Sequence, residues 1–185
     1  MINIAFRLIL TFNSTFLLIV VYCAQYGYTL GSASKYIPWL SWTKPLPNYY
    51  SYILYILLPI GLTGLSILIS RLLGKDEFKA GNVQSIELAN NAFLPSYLGY
   101  FFVALSVSGL EAFVVVYFLL FIFTFLSQAL YFNPLFLLFG YQFYNVTTKN
   151  GTVVFLISRH KYKNPSEVNI PKAYRINNYT FIERG

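Results

Sequence analysis

The densest group of chemically active side chains lies near the carboxyl end of the sequence. Arg159-His160-Lys161-Tyr162-Lys163 is followed by Lys172 and Arg175. Clustered basic side chains bind anions, which in a cell are phospholipid headgroups, acidic proteins or nucleic acid. We therefore take as candidate partner-binding residues Arg159, His160, Lys161, Lys163, Lys172 and Arg175.

A catalytic or metal-binding set is not recognisable in the sequence. One cysteine, Cys23, and one histidine, His160, are too few to hold a zinc ion. The sequence also lacks a Ser/His/Asp grouping, a glycine-rich phosphate loop and paired carboxylates. We expect a protein that is not an enzyme and that carries no cofactor and no metal.

The elements that must position the basic cluster are unusually apolar. Hydrophobic residues make up 57% of the 185-residue chain, and charged residues only 10%. Soluble domains carry about 25% charged residues, so this composition excludes an ordinary soluble domain and a disordered chain. A run of about 20 apolar residues spans the hydrocarbon core of a bilayer. The sequence therefore predicts an integral membrane protein.

Four apolar segments predict transmembrane helices, at residues 8–24, 50–70, 93–110 and 112–131. The last two are so close in sequence that they must form a tight helical hairpin. If both termini lie on one side, that side collects eleven of the thirteen basic residues and leaves Lys35 and Lys44 outside. The excess of positive charge predicts that both termini are cytoplasmic, and it also explains the basic tail without any binding partner.

The external loop, residues 25–49, contains both tryptophans of the chain. Amphipathic aromatic rings prefer the headgroup zone, so we expect the loop to lie flat on the outer leaflet. The predicted interface anchors are Trp39, Trp42, Tyr49 and Tyr50. Ligand binding by this loop is the alternative.

The predicted spans contain no Asp, Lys, Arg or His, which argues against proton-coupled transport. Glu111 stands at the outer hairpin turn, where it is either a solvated turn residue or a carboxylate with a gating or sensing role. Small residues at helical spacing allow close backbone approach between helices. They predict a homo-oligomer whose candidate interface is Gly61, Gly64, Ser66, Ser70, Ala104 and Ser108.

The composition changes after residue 132, where Asn133-Pro134 ends the last helix. Asn150-Gly151 separates two segments of strand character, 141–147 and 152–159, and this dipeptide favours a hairpin. A third short strand is predicted at 178–182. The predicted fold class is therefore all-α transmembrane: a four-helix membrane bundle, residues 1–132, with a small cytoplasmic β-hairpin tail, residues 133–185.

Four stretches of the sequence resemble the KwaA family, the membrane subunits of the bacterial Kiwa antiphage defence system. They are Phe132-Asn133-Pro134-Leu135, Phe139-Gly140-Tyr141-Gln142-Phe143-Tyr144-Asn145-Val146, Phe155-Leu156-Ile157 and Arg175-Ile176-Asn177-Asn178-Tyr179. The resemblance implies a multi-pass, homo-oligomeric protein of the inner membrane, in the form of a tetramer. It also implies detection of phage attachment or membrane disturbance, with signalling to a cytoplasmic DNA-binding partner, KwaB.

Direct binding of nucleic acid by this chain is not expected. Two other classes of function stay open. One is a small channel or transporter subunit, whose pathway would need the few polar residues of the spans. The other is a pore-forming toxin or an immunity protein, which would share the size and the aromatic content.

Overall fold

The protein is described by a computed structural model covering residues 2–79, 81–92, 94–127 and 133–184. The helices are α1 (Ile2–Gln25), α2 (Leu30–Ala33), α3 (Asn48–Ile69), α4 (Leu94–Ser106), α5 (Leu110–Ser127) and α6 (Leu135–Leu138). The strands are β1 (Lys75–Phe78), β2 (Val83–Leu88), β3 (Gln142–Thr148), β4 (Val153–Ser158), β5 (Ile170–Arg175) and β6 (Thr180–Ile182). Short 3-10 turns occupy Pro38–Thr43, Ser70–Leu72 and Pro165–Glu167.

Three helical segments are long and apolar enough to cross a membrane: Asn3–Gln25, Tyr49–Leu72 and Leu110–Ser127. They correspond to the first, second and fourth predicted spans, of which residues 128–131 lie outside the described part of the chain. The third predicted span is the 13-residue helix α4, whose preceding residue, Phe93, is also outside it. At 1.5 Å per residue α4 is about 20 Å long, which is less than the thickness of a hydrocarbon core.

α4 is short because the chain before it is still bound to the sheet. The backbone N–H of Ala89 donates to the carbonyl of Phe143, and the Asn90 side chain accepts the N–H of Phe143. α4 therefore begins part-way along α1, where the Tyr97 hydroxyl donates to the carbonyl of Ser14. The two helices end together, since the Gln25 side chain donates to the carbonyl of Leu105.

The predicted all-α fold class is wrong. Six strands form one mixed sheet in the order β1-β5-β6-β4-β3-β2, in which only the β4–β6 pair is parallel among the described strands. The predicted hairpin is present as β3–β4, and the predicted third strand as β6. Strands β1 and β2, from the loop between α3 and α4, and β5 are the additions. The sequence does not indicate β1, because its Lys75-Asp76-Glu77 segment is charged, which is typical of a solvated loop, and the segment is indeed exposed.

The order of the strands forces the sheet to curl. β1 and β2 lie at opposite edges, yet only residues 79–82 join them. Five extended residue steps reach about 17 Å, whereas the edges of a flat six-stranded sheet lie about 24 Å apart. In the curled sheet, the rings of Phe78 on β1 and Phe181 on β6 meet edge to face with their centroids 5.1 Å apart.

Both faces of the sheet are apolar, because one face lines the inside of the curl and the other packs against the helices. Tyr144, Val154 and Leu156 point into the curl and form one core cluster with Val83 and Phe181. The alternate residues of the same strands point outward, towards the helices. They form a second cluster with helix residues, whose members are Phe6, Leu10, Ile67, Leu73, Ala89, Phe136, Tyr141, Phe143, Phe155, Ile157, Ile176 and Ile182. The sheet therefore shares one core with the ends of α1 and α3.

Candidate partner-binding site on the sheet

A buried carboxylate organises the polar side chains at the ends of β4 and β6. Glu183, which directly follows β6, is 6% exposed. It accepts a hydrogen bond from the Ser158 hydroxyl at 2.5 Å, and the Tyr162 hydroxyl lies 2.8 and 3.0 Å from its two oxygens. Burial of a carboxylate is costly unless hydrogen bonds compensate it, and here two donors from another segment do so.

The same network fixes the start of the basic segment. The backbone N–H of His160 donates to the Ser158 hydroxyl at 2.9 Å, and that of Tyr162 donates to the Tyr144 hydroxyl at 3.2 Å. The His160 Nε2 atom lies 3.7 Å from the Glu183 carboxylate, which makes an ion pair when the imidazole is protonated. The basic segment is therefore held in one conformation against the sheet.

Two phenols of the network are kept in their protonated, donating form. Burial raises the pKa of Tyr162, and the adjacent Glu183 carboxylate raises it further. Burial also raises the pKa of Tyr144, although the N–H of Tyr162 partly offsets this. Both side chains therefore remain neutral hydroxyls at physiological pH.

A cavity of about 430 Å³ lies beside this network. Its lining combines both signs of charge, with Lys172 and Arg184 on one hand and Glu167 and Glu183 on the other, and it also includes His160. The Glu167 carboxylate caps the turn before β5, where the backbone N–H of Lys163 holds its pKa below the usual range. A surface of mixed charge and fixed geometry favours docking of a protein segment over binding of a simple anion.

The structure brings together only part of the predicted partner-binding set. His160 and Lys172 line the cavity, and Lys161 and Lys163 are exposed beside it. Arg159 instead turns towards the helices, where two of its nitrogens donate to the carbonyl of Phe139. Arg175 is exposed at the end of β5 and does not line the cavity. Sequence reasoning missed Ser158 and Glu183, because neither belongs to a motif.

The small residues predicted to form an oligomer interface divide into two groups. Ser66, Ser70 and Ala104 are fully buried within the protomer. Gly64 packs against the Phe139 ring, and a Cβ there would lie 3.1 Å from it. The two that present surface are Gly61 and Ser108. Self-association stays a prediction, for which these two residues are the available positions.

Polar side chains inside the helical region tie segments of the chain together. The Asn13 amide on α1 donates to the carbonyl of Leu62 on α3. The Asn133 amide, after α5, donates to the Thr63 hydroxyl at 2.8 Å. Asn13, Thr63 and Asn133 are all buried. Within one protomer these groups join helices, so they do not line an open pathway.

The other predicted residues lie on the opposite end of the helices. Trp39, Trp42, Tyr49 and Tyr50 are exposed around the first 3-10 turn and the start of α3, a position open to a membrane interface. Glu111 is exposed in the first turn of α5, where a negative charge is favourable. Neither role predicted for Glu111 is distinguished by this position.

Taken together, three candidate membrane-spanning helices and a curled sheet fused to one end of them define the class of protein: apolar helices with an attached sheet that carries a polar, cavity-bearing surface. The chain belongs to the KwaA family, because the family model described as anti-phage protein KwaA matches residues 6–182. The protein therefore has a role in defence against phage. Curated proteins and solved structures give no significant match to the chain.

Proposed function

We propose that the protein is a non-catalytic membrane sensor and scaffold of a two-protein defence complex in the bacterial inner membrane. Its helices detect phage attachment or a disturbance of the bilayer, and its sheet signals to a cytoplasmic DNA-binding partner. Membership of the anti-phage family supports the defensive role. The implied partner and stimulus come from the family resemblance.

One observation carries the signalling part of the proposal. Ile157 and Ile182 are fully buried in the core that the sheet shares with α1 and α3. Each directly precedes a residue of the polar network, namely Ser158 and Glu183, and the N–H of Glu183 donates to the carbonyl of Ile157. Close-packed cores transmit displacement rather than absorb it. A shift of α1 against α3 therefore reaches the cavity beside Glu183 through the adjacent strands β4 and β6. We call this cavity, with Lys161, Lys163 and Lys172, the docking surface.

The experiment reverses charge at the docking surface. Lys163→Glu with Lys172→Glu is expected to weaken binding of an acidic partner, because attraction is lost and like-charge repulsion is gained. The matched control is Lys35→Glu with Lys44→Glu, which makes the same change in charge at exposed sites at the opposite end of the helices. The measurements are co-purification of the neighbouring gene product from detergent and the plating efficiency of phage.

Loss of both partner recovery and protection in the docking-surface variant alone supports the proposal. Full recovery and full protection in that variant would remove the surface from the mechanism. The same cells test the alternative function of a pore-forming toxin. A toxin would depolarise the host when it is expressed without phage. Normal growth and a normal membrane potential without phage are the expected results.

A further inference from the structure

A second basic site lies between the end of α3 and the sheet. The Arg184 side chain lines both this site and the cavity beside Glu183. The site is a groove of about 320 Å³, lined by Gly64, Ile67, Leu68, Phe139, Tyr141, Arg159 and Arg184. Gly64 gives the groove its depth, since a side chain at that position would meet the Phe139 ring. One wall is therefore apolar and belongs to α3, and the other carries guanidinium groups.

The two guanidiniums of the groove are held in place by backbone carbonyls. Arg159 donates from Nε and Nη2 to the carbonyl of Phe139, both at 3.2 Å, and its guanidinium lies over the Tyr141 ring at 5.3 Å. Arg184 donates from Nη1 to the carbonyl of Leu68 at 3.3 Å. A guanidinium has five N–H donors, so these contacts use two donors of Arg159 and one of Arg184.

A third guanidinium, that of Arg71, belongs to the turn that directly follows α3. Burial raises the pKa of the Tyr141 phenol, and the positive charges of Arg159, Arg184 and Arg71 partly offset that rise. In the part of the chain that the structure describes, the ion pairs join Lys79 with Glu77 and His160 with Glu183. No carboxylate described there is paired with the three arginines, so their charge is available to an external anion.

The surroundings of the groove indicate an anion that carries an apolar chain. Ile67 and Leu68 of the groove belong to the last third of the candidate span Tyr49–Leu72, the part of a span that approaches the headgroup region. Large apolar side chains stand exposed around the groove: Leu68 is 56%, Leu72 67% and Leu138 66% exposed. A soluble anion would leave these side chains in water, whereas acyl chains would cover them.

We propose that this groove binds the phosphate headgroup of an anionic membrane phospholipid. Arg159 and Arg184 contact the phosphate, and Arg71 adds positive charge from the neighbouring turn. The acyl chains lie along the exposed leucines Leu68, Leu72 and Leu138. The site joins a lipid to the same helix–sheet boundary that contains Ile67 and Tyr141. It does not depend on the proposed signalling function, since it is a binding site that can be measured without phage or partner.

The test uses the purified full-length protein in a neutral detergent. Binding is titrated with phosphatidylglycerol, with phosphatidylcholine and with inorganic phosphate, each added alone. Phosphatidylglycerol is expected to bind and to raise the temperature of unfolding, whereas the other two have little effect. In Arg159→Gln with Arg184→Gln, the dissociation constant for phosphatidylglycerol is expected to rise about tenfold or more, because charge-assisted hydrogen bonds are lost.

The matched control is Lys161→Gln with Lys163→Gln, which removes the same charge from exposed positions outside the groove. Its dissociation constant is expected to stay within about twofold. Should the double arginine variant not fold, Arg71→Gln serves in its place, with an expected rise of about threefold, because Arg71 is exposed on a turn.

Three results would overturn the proposal. Equal binding of phosphatidylglycerol by the arginine variants and the unchanged protein would exclude the groove. Equal binding of phosphatidylcholine would exclude recognition of the anionic headgroup. Binding of inorganic phosphate as tight as that of the lipid would assign the site to a soluble anion instead.

Discussion

Glu183 shows how a single buried residue can organise a surface. Its carboxylate lies next to β4 in space but follows β6 in sequence, and its donors Ser158 and Tyr162 come from the end of β4 and the basic segment. Each donor offsets part of the cost of removing a carboxylate from water. The ends of two strands and the docking surface are thus connected through one side chain.

Removal of one donor should weaken this connection in a way that stability measurements detect. Tyr162→Phe leaves the buried Glu183 with one fewer donor, so the free energy of unfolding should fall by about 1–3 kcal/mol. The measurement is unfolding by heat or denaturant of the purified protein. Tyr179→Phe is the matched control, because Tyr179 is mostly exposed and should tolerate the same change.

Tyr162 also affects the stability of the protein at alkaline pH. The pKa of Tyr162 in the folded protein lies above its ordinary value of 10.0, so the neutral phenol is favoured by folding. Its contribution to stability is complete below pH 10 and is lost as the pH rises through the folded-state pKa. The stability of Tyr162→Phe should therefore fall less steeply above pH 10 than that of the unchanged protein. Parallel curves would contradict the assignment.

At the scale of elements, sequence patterns identify those with strong local signals. The β3–β4 hairpin follows from Asn150-Gly151, where Gly151 adopts a φ of 79° that L side chains rarely adopt. The apolar runs that predict α1, α3 and α5 are equally plain. β5 carries no such signal, because Pro171 cannot donate to a ladder. It is tolerated there since the pairing of β1 with β5 is irregular between Asp76 and Phe78.

The docking surface is less predictable than the elements for a related reason. Basic residues are visible in any sequence, but Arg159 separates from His160 only because successive residues of an extended chain point to opposite sides. The role of Glu183 depends on the parallel pairing of β4 with β6, which places Ile157 beside Ile182. That pairing joins residues without any local pattern to indicate it.

The small residues of α3 also illustrate the limit of a helical pattern. Spacing places Gly61 beside Gly64, and Ser66 beside Ser70 on a different face, but only packing decides which face meets this chain's own sheet. Gly61→Leu is expected to lower the oligomer mass in detergent, because Gly61 is exposed and bulk there blocks helix approach. Mass is measured by light scattering of the protein–detergent complex.

Ser66→Leu provides the comparison for that experiment. Ser66 is fully buried in the protomer, so extra volume should lower the temperature of unfolding whatever the oligomeric state. A Gly61→Leu protein of unchanged mass would place self-association on another surface. The exposed apolar helix α5, with Phe118 and Phe123 on its surface, would then be the next to test.

At the scale of the whole molecule, the sheet collects chain segments at one end of the helices. β1 and β2 come from the loop after α3, the other strands from the segment after α6, and Phe6 and Leu10 near the amino terminus pack against them. The basic residues of all three regions therefore share one end. The excess of positive charge predicts that this end is cytoplasmic.

Cysteine labelling tests this orientation in a Cys23→Ala background. A membrane-impermeant maleimide applied to intact cells should label Lys44→Cys, because Lys44 is exposed at the far end of the helices. It should miss Lys163→Cys until the cells are lysed, although that residue is also exposed. Labelling of both positions, or of position 163 alone, would contradict the orientation.

The curled sheet also has a consequence for biosynthesis. β1 and β2 leave the ribosome long before their partners, since about 95 residues separate the starts of β1 and β5. At a translation rate of about 5–20 residues per second, β1 is without its partner strand for about 5–20 s. Lys75 on β1 and Lys79 directly after it are suited to that interval, because charge on an edge strand discourages aggregation. β6, the last of the described strands to be made, enters between β4 and β5, so the sheet cannot close until Ile182 has been translated.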